Sequence, residues 1–385
     1  MGLNALVSPV LGAMSDRGGG RRLPYLLFFT ALTVIGTALI GLLPEGDNTL
    51  AILGLVLFTI ANFSYQAALI YYDATLPVVS KPSSRGRVSG IGVAVGYMGT
   101  ILIALLILIT DSGATPLTFF MGAGLFALFA IPIFLFVREP VREGTRFRVR
   151  DALASWSQLR TTVADARQVP GMLRFLVARF FYTDPVNTVI VIMAVFATEA
   201  IGFTRGEANL VLLALTVAAV LASFFWGWLV ERIGPKRTLM IVLGSWAVGL
   251  VIAGAVLSKP TFLIAGVLLG SGLGGVWTSD RVFMLRLSPP DKIGEFFGLY
   301  GLAGKFSAVT GPILYGSIVS VLLNAGWGNG AYQVGILSFL VLMVIGMLLL
   351  RGVPEPPAEG GGSLPASPPP EHLMPAADMP VPGRT

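Results

Sequence analysis

The sequence contains no cysteine and a single histidine, His372, which lies in a proline-rich C-terminal stretch. The lack of cysteine excludes disulfides and thiolate metal sites. Without an internal histidine, proton chemistry inside the chain must use carboxylates, lysine or tyrosine. No nucleophile–base pair, metal-ligand cluster or phosphate-binding loop is present in the sequence, so we expect neither an enzyme nor a bound cofactor or metal.

Charge is also scarce. Charged residues make up 12% of the 385 residues, 55% are hydrophobic, and the mean hydropathy is +0.81. Soluble chains carry about a quarter charged residues, whereas roughly 20 apolar residues form one membrane span. The repeated apolar runs therefore predict an all-α polytopic membrane protein. We interpret the pI near 9.7 as basic loops on one side of a bilayer, not as nucleic-acid binding.

Ten apolar runs are long enough to cross a bilayer, and residues 1–14 form a shorter one. The ten are residues 24–43, 50–71, 88–110, 117–137, 173–198, 208–230, 238–257, 261–278, 296–323 and 332–350. They predict an N-terminal half at 1–137, a central loop at 138–171, a C-terminal half at 172–351 and a disordered, proline-rich tail at 352–385. Apolar residues at helical spacing in the central loop favour a surface helix as much as a simple linker: Leu153, Trp156, Leu159 and Val163.

The turns between the spans alternate in charge. Arginine and lysine cluster at residues 17–22, 81–87, 138–150, 232–237 and 281–292, and the intervening turns hold little positive charge. By the positive-inside rule the basic turns are cytoplasmic. An even number of spans separates the central loop from the C-terminus, so the tail is expected on the cytoplasmic side as well.

One charged turn occurs twice, 215 residues apart. The first copy has Gly12, Asp16, Arg17, Gly19, Arg21 and Arg22, and the second has Gly227, Glu231, Arg232, Gly234, Lys236 and Arg237. A second set recurs at an offset of 208, where Ser80, Pro82, Gly86, Gly90 and Gly96 match Ser288, Pro290, Gly294, Gly298 and Gly304. Two matched features in the same order predict two parallel six-helix repeats, the plan of the major facilitator transporters.

The register of the first charged turn makes residues 1–14 the end of a second helix. The first helix of the plan is therefore expected to be missing. An incomplete gene model or a misplaced start codon is favoured over a working eleven-helix variant, and an in-frame apolar segment upstream of Met1 would decide between them.

Each charged turn carries an acid at the end of a helix. In the simpler interpretation, Asp16 and Glu231 only cap their own helices. In the alternative, each acid contacts the positive N-terminus of a helix from the other half: Asp16 meets the helix starting at Gly294, and Glu231 the helix starting at Gly86, near Arg87. Such contacts would hold the cytoplasmic side closed, and Asp16→Asn would shift the protein toward the inward-open state.

Asp184 and Lys305 lie at membrane depth within apolar spans, where ionisable residues are expected to be functional. One hypothesis pairs them as a structural ion pair near the midplane. The other makes them part of a solute- or proton-binding site, with Asn187 one turn away, and predicts that Asp184→Asn abolishes pH-dependent uptake. Tyr65 and Gln66 are further candidates for the wall of a binding cavity.

Asp73 and Arg281 occupy equivalent positions at the offset of 208. A contact between them across the two halves would form a gate at the cytoplasmic end. The alternative is that each long side chain reaches the interface by itself.

Several longer motifs occur in order: Tyr71-Tyr72-Asp73-Ala74-Thr75-Leu76-Pro77, Arg85-Gly86-Arg87-Val88-Ser89-Gly90, Tyr182-Thr183-Asp184-Pro185-Val186-Asn187-Thr188 and Glu295-Phe296-Phe297-Gly298-Leu299-Tyr300. With them the chain, apart from its tail, resembles the vacuole-effluxer-like branch of the major facilitator superfamily (MFS). The resemblance implies a secondary transporter, and the fungal members are associated with the export of amino acids from the vacuole. Asp184 and Lys305 match polar positions of that pattern. The absent first helix and Gly20, in place of a basic residue, depart from it.

Together these features predict a monomeric MFS transporter in the cytoplasmic membrane. It would move a small solute, such as an amino acid or a related metabolite, by alternating access, with protons as one candidate for the coupling ion. Two alternatives stay open: a cation-coupled sugar symporter, and a truncated membrane protein that senses without transporting. The lipid bilayer and the solute are the expected partners, and no nucleic acid is.

Overall fold

The computed structural model describes residues 1–17, 21–43, 48–110, 115–139 and 162–356. Before the central loop lie α1 (Gly2–Arg17), α2 (Leu23–Ile40), α3 (Asn48–Ala74), α4 (Arg85–Thr110) and α5 (Pro116–Phe136). After it lie α6 (Met172–Val195), α7 (Arg205–Ile233), α8 (Pro235–Ala255), α9 (Lys259–Leu287), α10 (Ile293–Asn324) and α11 (Gly330–Arg351). Short turns at Leu76–Val79 and Pro82–Ser84 join α3 to α4, and a π-helical turn at Phe196–Ala200 extends α6.

Ten of these helices are long and apolar enough to cross a membrane, which confirms the ten predicted spans. The exception is α1, which has 16 residues. The largest difference from the predicted boundaries is at α9, which continues to Leu287 instead of ending at residue 278. Asp280 and Arg281 end the apolar run there, but both side chains have charged partners inside the protein and the helix continues through them.

Local signals account for the helix starts. Thr204 and Glu207 form a reciprocal capping box before α7, in which each side chain accepts a hydrogen bond from the backbone N–H of the other residue. Gly234 has a φ of +91° between α7 and α8, a conformation that favours glycine. Pro235 follows at the first position of α8, where its missing N–H costs no helical hydrogen bond.

The helix contacts repeat with a shift of six helices. In the first half α2 packs on α3, and in the second α8 packs on α9. Between the halves, α1 packs along α10 and α4 packs along α7. These two inter-half contacts are equivalent, since α1 corresponds to α7 and α4 to α10 by the offsets of the sequence motifs.

α6 packs between α10 and α11, and among the described helices none packs in the same way between α4 and α5. A Cβ on Gly304 of α10 would overlap the guanidinium of Arg179 of α6. Its equivalent on α4, Gly96, has nothing within 4 Å, and neither has Gly122 on α5. We call this space between α4 and α5, beside Gly96 and Gly122, the α4–α5 cleft.

Parts of the predicted loop and tail are ordered against the second half. In the central loop, residues 162–168 are helical, whereas Leu153, Trp156 and Leu159 lie outside the described residues. At the start of the predicted tail, Val353 is 1% exposed and its carbonyl accepts a hydrogen bond from Lys236 Nζ at 2.6 Å. Residues 357–385 lie outside the described part of the chain.

Candidate functional site

The first crossing is the contact of α1 with α10. Their backbones touch, since a Cβ on Gly294 would lie only 2.5 Å from the carbonyl oxygen of Gly12. Asp16, near the end of α1, accepts hydrogen bonds from the backbone N–H groups of Gly294 at 3.0 Å and Glu295 at 2.8 Å. The carboxylate thus caps the free N–H groups and the positive end of α10. This is the inter-half contact that the sequence predicts for Asp16.

The second crossing is the equivalent contact of α4 with α7. A Cβ on Gly86 would lie 2.6 Å from the carbonyl oxygen of Gly227. Glu231 accepts a hydrogen bond from the backbone N–H of Arg87 at 3.0 Å and pairs with the Arg87 guanidinium. The acid of the second charged turn therefore also reaches the helix of the opposite half that the sequence predicts.

Asp16 lies outside the ten candidate spans, and its burial has a consequence for its charge. Burial raises the pKa of Asp16 from 3.8 to about 6, although the hydrogen bonds from Glu295 and Gly294 and the charge of Arg22 act in the opposite direction. The carboxylate is therefore mainly ionised at neutral pH and takes up a proton near pH 6.

A third inter-half contact lies between the two crossings. Arg281 of α9 forms an ion pair with Asp73 of α3, with Nη1 at 2.8 Å from Oδ1. The Nη2 group of Arg281 also donates to the backbone carbonyl of Ser89 at 3.1 Å and to its hydroxyl at 2.9 Å. The predicted contact between Asp73 and Arg281 is present, and it joins both halves.

Other basic residues of the charged turns stay within their own half. Lys236 donates to two backbone carbonyls at and just beyond the end of α11, at 3.0 and 2.6 Å. The Arg232 guanidinium lies 5.0 Å from the ring centre of Trp228. Arg21 is exposed, and the side chain of Arg17 lies outside the described part. Among the charged-turn residues predicted to form the gate, the two acids and the glycines make the crossings.

A third repeat escaped the sequence analysis. Residues 137–140 and 353–356 share valine, glutamate and proline at matched positions, 216 residues apart. Glu139 accepts hydrogen bonds from the backbone N–H groups of Arg22 and Leu23 at 2.8 and 3.0 Å, and Glu355 pairs with Arg286 at 3.4 Å. The shared motif was a usable signal, but one copy fell in the predicted loop and the other in the predicted tail.

A cavity of about 850 Å³ lies between the two halves. Four of the predicted binding residues line it: Tyr65, Gln66, Asn187 and Lys305. Asp184 does not. Gly96 and Gly122 also line the cavity, so the α4–α5 cleft forms part of this volume.

The predicted ion pair between Asp184 and Lys305 is wrong. Lys305 Nζ instead points to the first half, where it donates to Asn4 Oδ1 at 2.5 Å, to Ser8 Oγ at 2.9 Å and to the Gln66 carbonyl at 2.9 Å. All three ammonium hydrogens are used by neutral oxygens. Lys305 therefore joins the halves at the edge of the cavity without an acidic partner among the described residues.

Asp184 meets a different side of α10. Its Oδ1 accepts a hydrogen bond from Thr310 Oγ1 at 2.6 Å, and its other oxygen lies against Gly311. Gly311 and Lys305 are six residues apart, and at 3.6 residues per turn they face different directions. Equal depth in the membrane was the reason for the predicted pair, but depth does not fix the direction of a side chain.

Sequence reasoning also missed Arg179, a buried cation of α6. Its Nε donates to Asp280 Oδ2 at 3.2 Å, and its Nη1 donates to the carbonyl of Tyr300 at 3.0 Å. The Tyr300 hydroxyl donates to Asp280 Oδ1 at 2.7 Å, which completes the network. An arginine inside an apolar run was a visible signal. This buried pair is hydrogen-bonded within the second half, and Arg179 is also one of the residues that line the cavity between the halves.

The comparisons with known proteins agree with this architecture. The model of the family described as "Vacuole effluxer Atg22 like" matches residues 1–358. The chain belongs to this family. One relative of the Atg22-like chain, the MFS-type transporter YxiO of Bacillus subtilis (strain 168), is 28% identical over 363 residues, which are 91% of this chain and 82% of YxiO.

Fungal relatives are longer. Autophagy-related protein 22 of Coccidioides immitis (strain RS) is 26% identical over 297 residues, covering 69% of this chain and 48% of the relative. The Atg22-like chain thus spans about half the length of that protein.

Two solved structures share the fold. The human organic anion transporter MFSD10 (TETRAN) superposes with a TM-score of 0.68 at 18% identity, over 90% of this chain and 81% of that chain. The proton:xylose symporter XylE superposes with a TM-score of 0.70 at 15% identity, over 94% and 86%. At these identities the likeness shows the MFS fold alone. Together with the family, it makes the Atg22-like protein a multi-pass membrane protein of the transporter class and not an enzyme.

Proposed function

We propose that this Atg22-like protein is a secondary transporter that moves a small solute across the cytoplasmic membrane by alternating access. The observation that carries the proposal is the cavity between the halves, together with three inter-half contacts at one end. That end bears the basic turns and is therefore cytoplasmic under the positive-inside rule. The structure corresponds to the cytoplasm-closed state of such a cycle.

The contacts at the cytoplasmic end suit a reversible gate. Asp16 and Glu231 each bond to two groups of the opposite half, and Arg281 bonds there to Asp73 and Ser89. Movement of the halves would break these contacts together and expose the acids and the arginine to water. Because water then replaces the lost partners, two states of comparable free energy are accessible.

An amino acid or a related metabolite is the proposed solute. Lys305 and Asn187 line one wall of the cavity, where their N–H groups donate to protein oxygens, and Tyr65 and Gln66 offer polar groups on the facing wall. A solute carboxylate would compete for Lys305 with its present acceptors on α1 and α3. The family description as a vacuole effluxer supports an exported metabolite.

Transport by purified protein in liposomes tests this proposal. We expect counterflow of at least one of the 20 radiolabelled amino acids above that of empty liposomes. Lys305→Met is expected to weaken this exchange at least tenfold, whereas Lys81→Met, a change at an exposed lysine, leaves it unchanged. Absence of exchange for every amino acid would refute the proposed solute class, and equal exchange by Lys305→Met would remove Lys305 from the binding site.

A further inference from the structure

Asp184 is a buried carboxyl group in the middle of α6 that neither the crossings nor the cavity uses. It is 2% exposed. Thr310 satisfies one oxygen, whereas Oδ2 has no hydrogen-bond partner among the described residues. A buried carboxylate that lacks a cation and leaves one oxygen without a hydrogen bond is costly, and such a group takes up a proton instead.

A second unpartnered oxygen lies beside it. Thr188 is one turn further along α6, is 0% exposed, and its Oγ1 also lacks a partner. Both oxygens lie against the same glycine. A Cβ on Gly311 would lie 2.6 Å from Asp184 Oδ2 and would overlap Thr188 Oγ1. Among the described residues no hydrogen bond joins the two oxygens, so neither the threonine hydroxyl nor a cation satisfies Asp184 Oδ2.

No charged group neutralises Asp184. The titratable groups on α6 and on the helices packed against it are Arg174, Arg179, Tyr182, Glu199, Glu295, Tyr300, Lys305, Tyr315, Tyr332, Arg351, Arg205, Glu207, Glu231 and Arg232. Within the described residues, none of them forms an ion pair or a hydrogen bond with Asp184. The cations Lys305 and Arg179 instead bond to α1 and α3 and to Asp280.

Asp184 lies close to a residue that lines the cavity and to prolines in both α6 and α10. Asn187, less than one turn away, lines the cavity and donates to Ser307 on α10 at 3.2 Å. Pro185 follows Asp184 in α6, and Pro312 follows Gly311 in α10. Each proline removes one helical hydrogen bond at the same level, so both helices can bend where the carboxyl group lies.

We propose that Asp184 is the site of the coupling proton, occupied in the cytoplasm-closed state. A proton from water forms the O–H bond at Asp184 Oδ2. In the other state the same O–H bond breaks and the proton returns to water on the opposite side. The inference rests on the proposed transport function and adds the coupling ion and the atom that carries it.

Infrared difference spectroscopy of the protein in lipid tests the protonation without any solute. At pH 7 we expect the carbonyl-stretch band of a carboxylic acid that disappears in Asp184→Asn. Glu207→Gln, at an exposed carboxylate, is the matched control and leaves the band intact. A wild-type spectrum without such a band, or a band that survives in Asp184→Asn, would overturn the assignment.

A second experiment in the same liposomes tests the coupling. An imposed pH gradient should accumulate the radiolabelled amino acid, and Asp184→Asn should lose at least tenfold of this accumulation while keeping counterflow at equal pH. Accumulation retained by Asp184→Asn, or driven by a sodium gradient in place of the pH gradient, would overturn the coupling role. Counterflow absent from the wild type would instead reject the proposed solute class, and the infrared result would still decide the protonation of Asp184.

Discussion

The two crossings are equivalent in position and differ in how their acids are satisfied. At the first, Asp16 bonds to two backbone N–H groups of α10 and its side chain is 8% exposed. At the second, Glu231 bonds to one backbone N–H, and its other partner is the Arg87 guanidinium, whose side chain is 66% exposed. The backbone contacts of Gly294 and Gly298 in the first crossing nearly match those of Gly86 and Gly90 in the second, whereas Gly12 lies closer to the opposite backbone than Gly227 does.

Each crossing thus has two components, a close approach of the two backbones and a contact made by an acid. Close approach of the backbones is common to both and requires glycine, so it sets the geometry. The acid then adds a contact whose strength depends on whether water can replace its partner. We therefore expect the glycines to matter equally at the two crossings and the acids to matter unequally.

The largest effect is expected from Gly298→Ala and Gly90→Ala, one for each crossing. The new Cβ would lie 2.6 Å from the Ser8 carbonyl oxygen in the first and 2.5 Å from the Ser223 carbonyl oxygen in the second. Overpacking against backbone costs about 1–3 kcal/mol, which would open the cytoplasmic side roughly tenfold to a hundredfold. Because the chain has no cysteine, labelling of Ala308→Cys in the cavity by an impermeant maleimide reports this opening.

The same two helices offer matched controls. Gly96 on α4 and Gly316 on α10 have nothing within 4 Å, so Gly96→Ala and Gly316→Ala should leave the labelling unchanged. A large effect at only one of the two crossings would show that their backbones are not equally tight.

Asp16→Ala is expected to have the next largest effect. It leaves two backbone N–H groups at the start of α10 without an acceptor in the closed state, at a cost of about 1–2 kcal/mol. We expect roughly tenfold more Ala308→Cys labelling. Asp16→Asn keeps one acceptor and should give an intermediate value, and labelling that stays at the wild-type level in both would show that Asp16 does not hold the gate.

Both crossings could be predicted from the sequence because each is formed by a local motif that occurs twice. Glycine and an acid at a helix end have a physical role wherever the helix packs. The separation of Asp184 from Lys305 could not be predicted, since the rotation of α10 about its axis is fixed only by tertiary packing. Arg179 was missed for a different reason: its partner Asp280 is distant in sequence, although the arginine itself stands out in an apolar run.

Glu231→Ala is expected to have a smaller effect than Asp16→Ala. The Arg87 guanidinium that loses its partner is already mostly exposed and stays hydrated, and exposed ion pairs contribute about 0–1 kcal/mol. One backbone N–H also loses its acceptor, so a change of two- to threefold in Ala308→Cys labelling is expected. An effect equal to that of Asp16→Ala would show that exposure of the partner does not govern these contacts.

The smallest expected effect is the pH dependence of the first crossing. The pKa of Asp16 is raised to about 6 by burial in the closed state, and it returns toward 3.8 when the crossing opens to water. The closed state therefore binds a proton more tightly, so acidification favours closure, and the gain appears as the pH falls through 6. At pH 6 it amounts to about 0.4 kcal/mol, or twofold less labelling of Ala308→Cys than at pH 7.5. Asp16→Ala should lose this increment while Glu231→Ala keeps it. Acid-induced opening that depends on Asp16 would mean that the charged carboxylate, and not its neutral form, is the better fit to the start of α10.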